Sequence, residues 1–206
     1  MTLLAGFLDV LLRGLGLIAL SAAVGGVAYA LVVLRAVSTR PAVGRETVAR
    51  EALGRVGGLV ALGALLLALS RAVVLFVLHP WVLADADGHW PVVDFVATEF
   101  GRASLVGIAL ALALAVVAAR LRRPPTARVA WMAAATIAVL VLANSARLAH
   151  AVSRLEGRGP LMLATVFHQA GAVIWMGGLM HLARSWRAPL PPGALPPAVE
   201  LHSIDD

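Results

Sequence analysis

The sequence predicts an all-α protein, a polytopic transmembrane helical bundle with about five membrane-spanning helices. Hydrophobic residues make up 61% of the 206-residue chain, and the mean hydropathy is +0.91. Several apolar runs also reach the length of about 18 residues that a helix needs to cross a bilayer. We therefore expect residues 1–186 to form one transmembrane domain and residues 187–206, which are rich in proline, to form a cytoplasmic tail.

The predicted spans alternate with charged or turn-forming loops and cover residues 7–34, 53–78, 103–119, 129–149 and 161–182. We expect the first span to be a true membrane span and not a cleavable signal peptide, because it lacks a basic start, carries Asp9 and is followed by arginines. Asp9 and Arg13 are four residues apart and can pair on one helix face. Four glycines of this span allow close approach of neighbouring helices: Gly14, Gly16, Gly25 and Gly26.

The second span is expected to end at His79, because Pro80 cannot continue the hydrogen-bond ladder and restricts the residue before it. Arg71 interrupts this span about two turns earlier, where an arginine either extends to the interface or meets a buried anion. The loop that follows is acidic, and its residues 90–100 predict a short amphipathic helix on the membrane. The third span contains little but alanine, leucine and valine and is expected to be scaffold.

Charge predicts the orientation of the bundle. All 17 basic residues are arginine, and eleven of them fall in the first loop, the third loop and the C-terminal flank. The positive-inside rule then places those segments in the cytoplasm of a bacterium and the N-terminus in the periplasm. The formal charge of +6 is therefore no signal for nucleic acid. Cysteine is absent, which leaves histidine, methionine and carboxylates as metal ligands.

The fifth span contains the strongest candidate residue. His168 and the neighbouring Gln169 lie inside a segment long enough to cross the bilayer, where polar side chains are costly unless they are satisfied. His168 and Trp175 are seven residues apart, so they share a helix face with Gly171 and Gly178. We expect this face to offer a ligand, a large ring and two points of close approach.

Three histidines, His79, His150 and His168, are predicted near the periplasmic side and could line one pocket. Imidazole suits copper, zinc and haem iron, and thioether sulfur favours Cu(I). Three methionines of the fifth span form a weaker metal pathway: Met162, Met176 and Met180. The alternative interpretation is structural, with the histidines hydrogen-bonded within the bundle and the methionines filling gaps in its packing.

The segment from residue 144 to residue 182 resembles the membrane domain of the copper-resistance protein D (CopD) family. The resemblance rests on His150 at the end of one span, His168 after a short loop, and the run Trp175-Met-Gly177-Gly178-Leu179. It implies an inner-membrane protein of copper uptake or tolerance, often working with a periplasmic copper-binding protein. His150 and His168 would belong to the metal site, and Trp175, Gly177 and Gly178 would form its structural frame.

Two other functions remain open. Histidines on two helices could hold a b-type haem, with Arg71 and Arg147 pairing with its propionates in an electron-transfer subunit. Alternatively, the chain is a structural accessory subunit of a larger membrane complex. An enzyme is not expected, because the sequence has no Ser-His-Asp spacing, no His-Glu-x-x-His run and no paired intramembrane carboxylates.

Overall fold

The computed structural model describes residues 2–35, 45–82, 92–123, 127–148 and 158–186. Its helices are α1 (residues 2–35), α2 (residues 45–82), α3 (Val92–Ala97), α4 (Glu99–Arg120), α5 (Arg128–Arg147) and α6 (Arg158–Trp186). Five of them, all except α3, are long and apolar enough to cross a membrane. The prediction of an all-α, multi-pass membrane protein is thereby confirmed. The predicted tail, residues 187–206, lies outside the described residues.

Helix α1 lies at the centre of the bundle and α6 at its edge. The burial of their most apolar 18-residue windows shows the difference: 67% of this window is buried in α1, and 11% in α6. Helix α1 contacts α2, α5 and α6, while α2 packs along α4, and α4 along α5. Small side chains permit this close packing, and alanines supply much of the buried core.

Polar side chains connect neighbouring helices inside the bundle. Ser70 of α2 donates a hydrogen bond from Oγ to the Leu12 carbonyl of α1 at 2.8 Å. Asn144 of α5 donates from Nδ2 to the Ala103 carbonyl of α4 at 3.0 Å. Such bonds satisfy polar groups that would otherwise be stranded in hydrocarbon, and each contributes of the order of 1 kcal/mol in membranes.

The predicted end of α2 at His79 is wrong. The helix passes through Pro80 and continues to Val82. A π-helical segment, Val74–Leu78, directly precedes the proline, and the His79 amide donates to the Val74 carbonyl, five residues back. The wider turn changes the spacing between the proline ring and the preceding carbonyls, which removes the clash that a regular α-turn would produce.

Helix α4 begins four residues before its predicted start. Thr98 has an extended backbone, and its Oγ1 accepts a hydrogen bond from the Gly101 amide at 3.0 Å, which makes it the N-cap. The short helix expected within residues 90–100 is present as α3, at residues 92–97. Helix α3 is connected to α4 through Thr98, and the two helices contact each other.

Candidate functional site

Five arginines of the predicted cytoplasmic segments lie together at one end of the bundle. A single surface pocket is lined by residues from the start of α2, the end of α4 and the end of α6: Arg50, Glu51, Arg55, Arg122, Arg123 and Arg184. These helix ends therefore lie at the same end of the bundle, as the predicted topology requires. Which side of the membrane this end faces stays a prediction.

The inner face of α6 packs against α1 at a glycine pair. A Cβ atom added to Gly177 would collide with the Ser21 carbonyl oxygen and lie 2.7 Å from the Gly25 Cα atom. A Cβ atom on Gly25 would in turn lie 2.7 Å from the Gly177 Cα atom. Only glycine at both positions lets the two backbones approach this closely.

His181 continues the same inner face, four residues after Gly177. Its side chain is 1% exposed, and Nε2 lies 3.0 Å from the Ala22 carbonyl oxygen. A carbonyl can only accept, so Nε2 carries the hydrogen and donates it. The imidazole stacks on Tyr29 with ring centroids 5.8 Å apart, and Gly26 leaves the space that it occupies. His181 is therefore a structural histidine that joins α6 to α1.

The outer face of α6 has the opposite character. His168 is exposed, Trp175 is 67% exposed, and Gly171 and Gly178 have no atom within 4 Å of an added Cβ. The prediction that these residues share a face is confirmed, but within the described chain that face points outwards. The two glycines expected as points of close approach contact nothing there, and Gly177 takes that role instead.

The predicted cluster of histidines is described only in part, because His150 lies outside the described residues. His79 packs between Phe95 and Phe100, with ring centroids 5.3 and 5.2 Å away. Its Nδ1 is buried and has no hydrogen-bond partner in the part of the chain that the structure describes. Within that part, no three His, Cys, Asp or Glu residues are grouped to hold a metal ion.

The other candidate residues lie in separate surroundings. Arg147 is at the end of α5, half exposed, with its Nη2 atom 3.8 Å from the Glu99 carboxylate. Met176 is 45% exposed on α6, while Met162 and Met180 are partly buried. The expected pair of Asp9 and Arg13 is confirmed, with Nε and Oδ2 2.7 Å apart.

Arg71 lies between helices and is partly buried. It lines a cavity of about 330 Å³ to which α1, α2, α4, α5 and α6 all contribute, and it donates a hydrogen bond from Nη2 to Ser145 Oγ of α5. The guanidinium also rests over Gly107 of α4, where an added Cβ would collide with Nη1. A hydrogen bond to a neighbouring helix therefore holds the guanidinium, and the two alternatives expected for Arg71 stay predictions.

Two residues that connect helices in the structure were not predicted from the sequence. Ser145 receives the hydrogen bond from Arg71, and His181 fixes α6 to α1. The sequence did contain a signal for His181. It lies four residues after Gly177 and eight after Val173, so the three residues share one helix face, and Val173 and His181 are both buried. No such spacing links Ser145 to Arg71, because they are 74 positions apart in the chain.

No protein-family model matches this chain, and no significant match is found among curated proteins or solved structures. The fold defines the class, a multi-pass helical membrane protein. The resemblance to the CopD family stays a prediction, and functional conclusions rest on the geometry of the described residues.

Proposed function

We propose that this chain is a copper-handling protein of a bacterial inner membrane, with copper as its cargo and His168 as a ligand. One observation carries the proposal. His168 stands on the exposed face of α6, and its imidazole has no hydrogen-bond partner among the described residues. His168 is nine residues after Gly159, which places it about 14 Å along the helix from that glycine. An unsatisfied imidazole at this depth is costly, which favours a role in binding.

A single imidazole does not hold copper tightly, so further ligands are required. His150 is one candidate, and Met176 on the same exposed side of α6 offers a thioether that suits Cu(I). The remaining ligands would come from a periplasmic copper-binding protein or from another subunit. This arrangement would make α6 the place where copper is handed between proteins, and no nucleotide-driven step is invoked.

The test is elemental analysis and an optical spectrum of purified protein, for wild type, His168→Ala and His168→Met. We expect stoichiometric copper in wild type, loss in His168→Ala, and partial retention of Cu(I) in His168→Met, because a thioether replaces the imidazole. Phe167→Leu is the matched control. Phe167 is 67% exposed beside His168, so the variant changes the exposed side of α6 without removing a ligand or a residue of the structural frame, and it should keep its copper.

Equal copper in wild type and His168→Ala would contradict the proposal. A Soret band that His168→Ala loses would instead identify a b-type haem and an electron-transfer subunit. The described geometry gives that alternative less support, because Arg71 lies in the interior cavity and Arg147 lies beside Glu99, while His168 points outwards.

One observation favours a second function, the structural accessory subunit. Only 11% of the most apolar window of α6 is buried within this chain, so the helix has a face free for a larger membrane complex. In that case, His168→Ala would weaken assembly with the partner and leave metal content unchanged. Size-exclusion chromatography of the complex extracted in mild detergent separates this outcome from loss of copper.

A further inference from the structure

The cavity around Arg71 contains a positive charge without a compensating carboxylate. The described ion pairs near this end of the bundle join Arg13 to Asp9 and Arg147 to Glu99, and Arg71 takes part in neither. Its Nη1 atom is buried and has no hydrogen-bond partner in the described chain. A buried guanidinium with one unsatisfied nitrogen is expensive, and an anion is the group that would relieve the cost.

Two polar side chains of α5, Asn144 and Ser145, lie near the guanidinium. An atom placed on Gly107 would lie 2.6 Å from Asn144 Nδ2 as well as against Arg71. Asn144 donates from Nδ2 to the Ala103 carbonyl, and its buried Oδ1 atom has no partner in the described chain. Ser145 accepts from Arg71 and donates its own hydrogen to the Val141 carbonyl at 2.8 Å, so it holds the guanidinium in place and supplies no free donor. The N–H groups left for a ligand are those of the guanidinium, and such charged donors favour an acceptor with negative charge.

The remainder of the cavity is apolar. Leu67, Val74 and Phe100 line it together with leucines of α1, and its volume of about 330 Å³ accommodates a ligand group rather than a single water. Arg13 also lines it, but Asp9 neutralises this residue at 2.7 Å. Gln169 contributes a buried Oε1 without a donor in the described chain, which can accept from a hydroxyl on the ligand.

The geometry points to an anion-binding site at Arg71, held in place by Ser145, that takes the carboxylate or phosphate group of an amphiphilic molecule, with its apolar part against Leu67, Val74 and Phe100. The site is separate from His168, which stands on the outer face of α6. It does not depend on copper. Its ligand is either a phospholipid of the surrounding bilayer or a soluble anion, because both present the same acceptor oxygens.

Two binding measurements on the full chain in mild detergent distinguish these sources. Native mass spectrometry detects retained phosphatidylglycerol and compares it with phosphatidylcholine, which has no net charge. Equilibrium dialysis with radiolabelled inorganic phosphate tests the soluble anion. We expect one phosphatidylglycerol per chain, bound about tenfold or more tightly than phosphatidylcholine, because only the former leaves a net negative charge beside Arg71.

Three variants test the residues. Arg71→Gln should weaken anion binding about tenfold or more, and Arg71→Lys should retain part of it, because the charge remains but the guanidinium geometry is lost. Gly16→Leu leaves Arg71 intact and fills the cavity, since an added Cβ lies at an ordinary 3.5 Å from Ser70 Oγ. It should also abolish binding. Arg147→Gln is the control, because Arg147 does not line the cavity.

Folding of each variant is checked by circular dichroism, and Gly16→Leu keeps the test valid if Arg71→Gln does not fold. Phosphate bound in place of lipid, with the same dependence on Arg71, supports the site and assigns a soluble ligand. The inference is overturned if wild type binds neither anion in a saturable one-to-one manner. It is also overturned if a folded Arg71→Gln variant binds as wild type does, or if Arg147→Gln loses as much affinity as Arg71→Gln.

Discussion

The two faces of α6 carry the same residue types and place them in opposite environments. Gly177 and His181 are buried against α1, while the adjacent Gly178 and the earlier His168 face away from the described chain. The inner histidine donates its hydrogen to a carbonyl, and the outer one has no partner among the described residues. The packing of α6 on α1 therefore accounts for His181, while no contact among the described residues accounts for His168, which remains the functional candidate of this helix.

The largest effect is expected from the two adjacent glycines. Gly177→Leu should lower the free energy of unfolding by at least about 3 kcal/mol, because the side chain would have to enter the backbone of α1. Gly178→Leu should change it by less than about 0.5 kcal/mol, because nothing lies within 4 Å. Unfolding by SDS titration in mixed micelles measures both. Equal effects would mean that the two faces are not distinct.

The pair of glycines also separates stability from assembly. If the outer face of α6 binds another subunit, Gly178→Leu should dissociate the complex while the isolated chain remains as stable as wild type. Size-exclusion chromatography before and after detergent exchange measures this. A complex that survives Gly178→Leu but not His168→Ala would restrict the contact to the first half of α6.

The two histidine variants should differ in free energy of unfolding by a smaller amount than the two glycine variants. His181→Ala should cost about 2 kcal/mol, because it leaves the Ala22 carbonyl without its donor and removes the ring stacked on Tyr29. His168→Ala should change the free energy of unfolding by less than about 0.5 kcal/mol and act on metal binding instead. The same titration measures both variants. A large loss of stability in His168→Ala would point to a structural histidine and against a ligand.

The smallest effects on the free energy of unfolding are expected from alanine substitutions at two glycines of α1, and these two effects should have opposite signs. Gly26→Ala should destabilise the chain by about 1–2 kcal/mol, because the methyl group would meet the His181 ring and lie 2.6 Å from Val60 Cγ2. Gly14→Ala should stabilise it by up to about 1 kcal/mol, since nothing lies within 4 Å and alanine is the better helix former. Thermal unfolding followed by circular dichroism compares them. Stabilisation by Gly26→Ala would refute the close packing at His181.

The spans could be predicted from the sequence because hydropathy is a property of each segment alone. The Asp9–Arg13 pair could be predicted for the same reason, since both residues belong to one helix. The end of α2 could not, because the π-helical turn before Pro80 leaves no composition signal. The start of α4 was available from Thr98 followed by Glu99, a sequence typical of a helix N-cap.

The candidate site could be predicted less completely, because it depends on which helices become neighbours. The sequence identifies which residues share a face of α6, but not which face packs against α1. It places Arg71 inside a span but does not show Ser145 or Gly107 beside it, since those residues lie on two other helices. Gly178 was expected as a point of close approach, but among the described residues it is Gly177 that contacts α1.

The π-helical segments have a consequence for helical phase. Each such turn accommodates one residue more than an α-turn and rotates every later residue by about 100° around the helix axis. Helix α1 contains two of these segments, Ser21–Gly25 and Ala30–Leu34, and α2 contains one between Arg71 and His79. A helical wheel drawn through α1 or α2 with one constant period therefore assigns its two ends to the wrong relative orientation. Arg71 and His79 are eight residues apart and would differ by about 80° in a regular α-helix, whereas the π-helical turn brings them to within about 20°. Phe100 accordingly lies beside the His79 ring and also lines the cavity of Arg71.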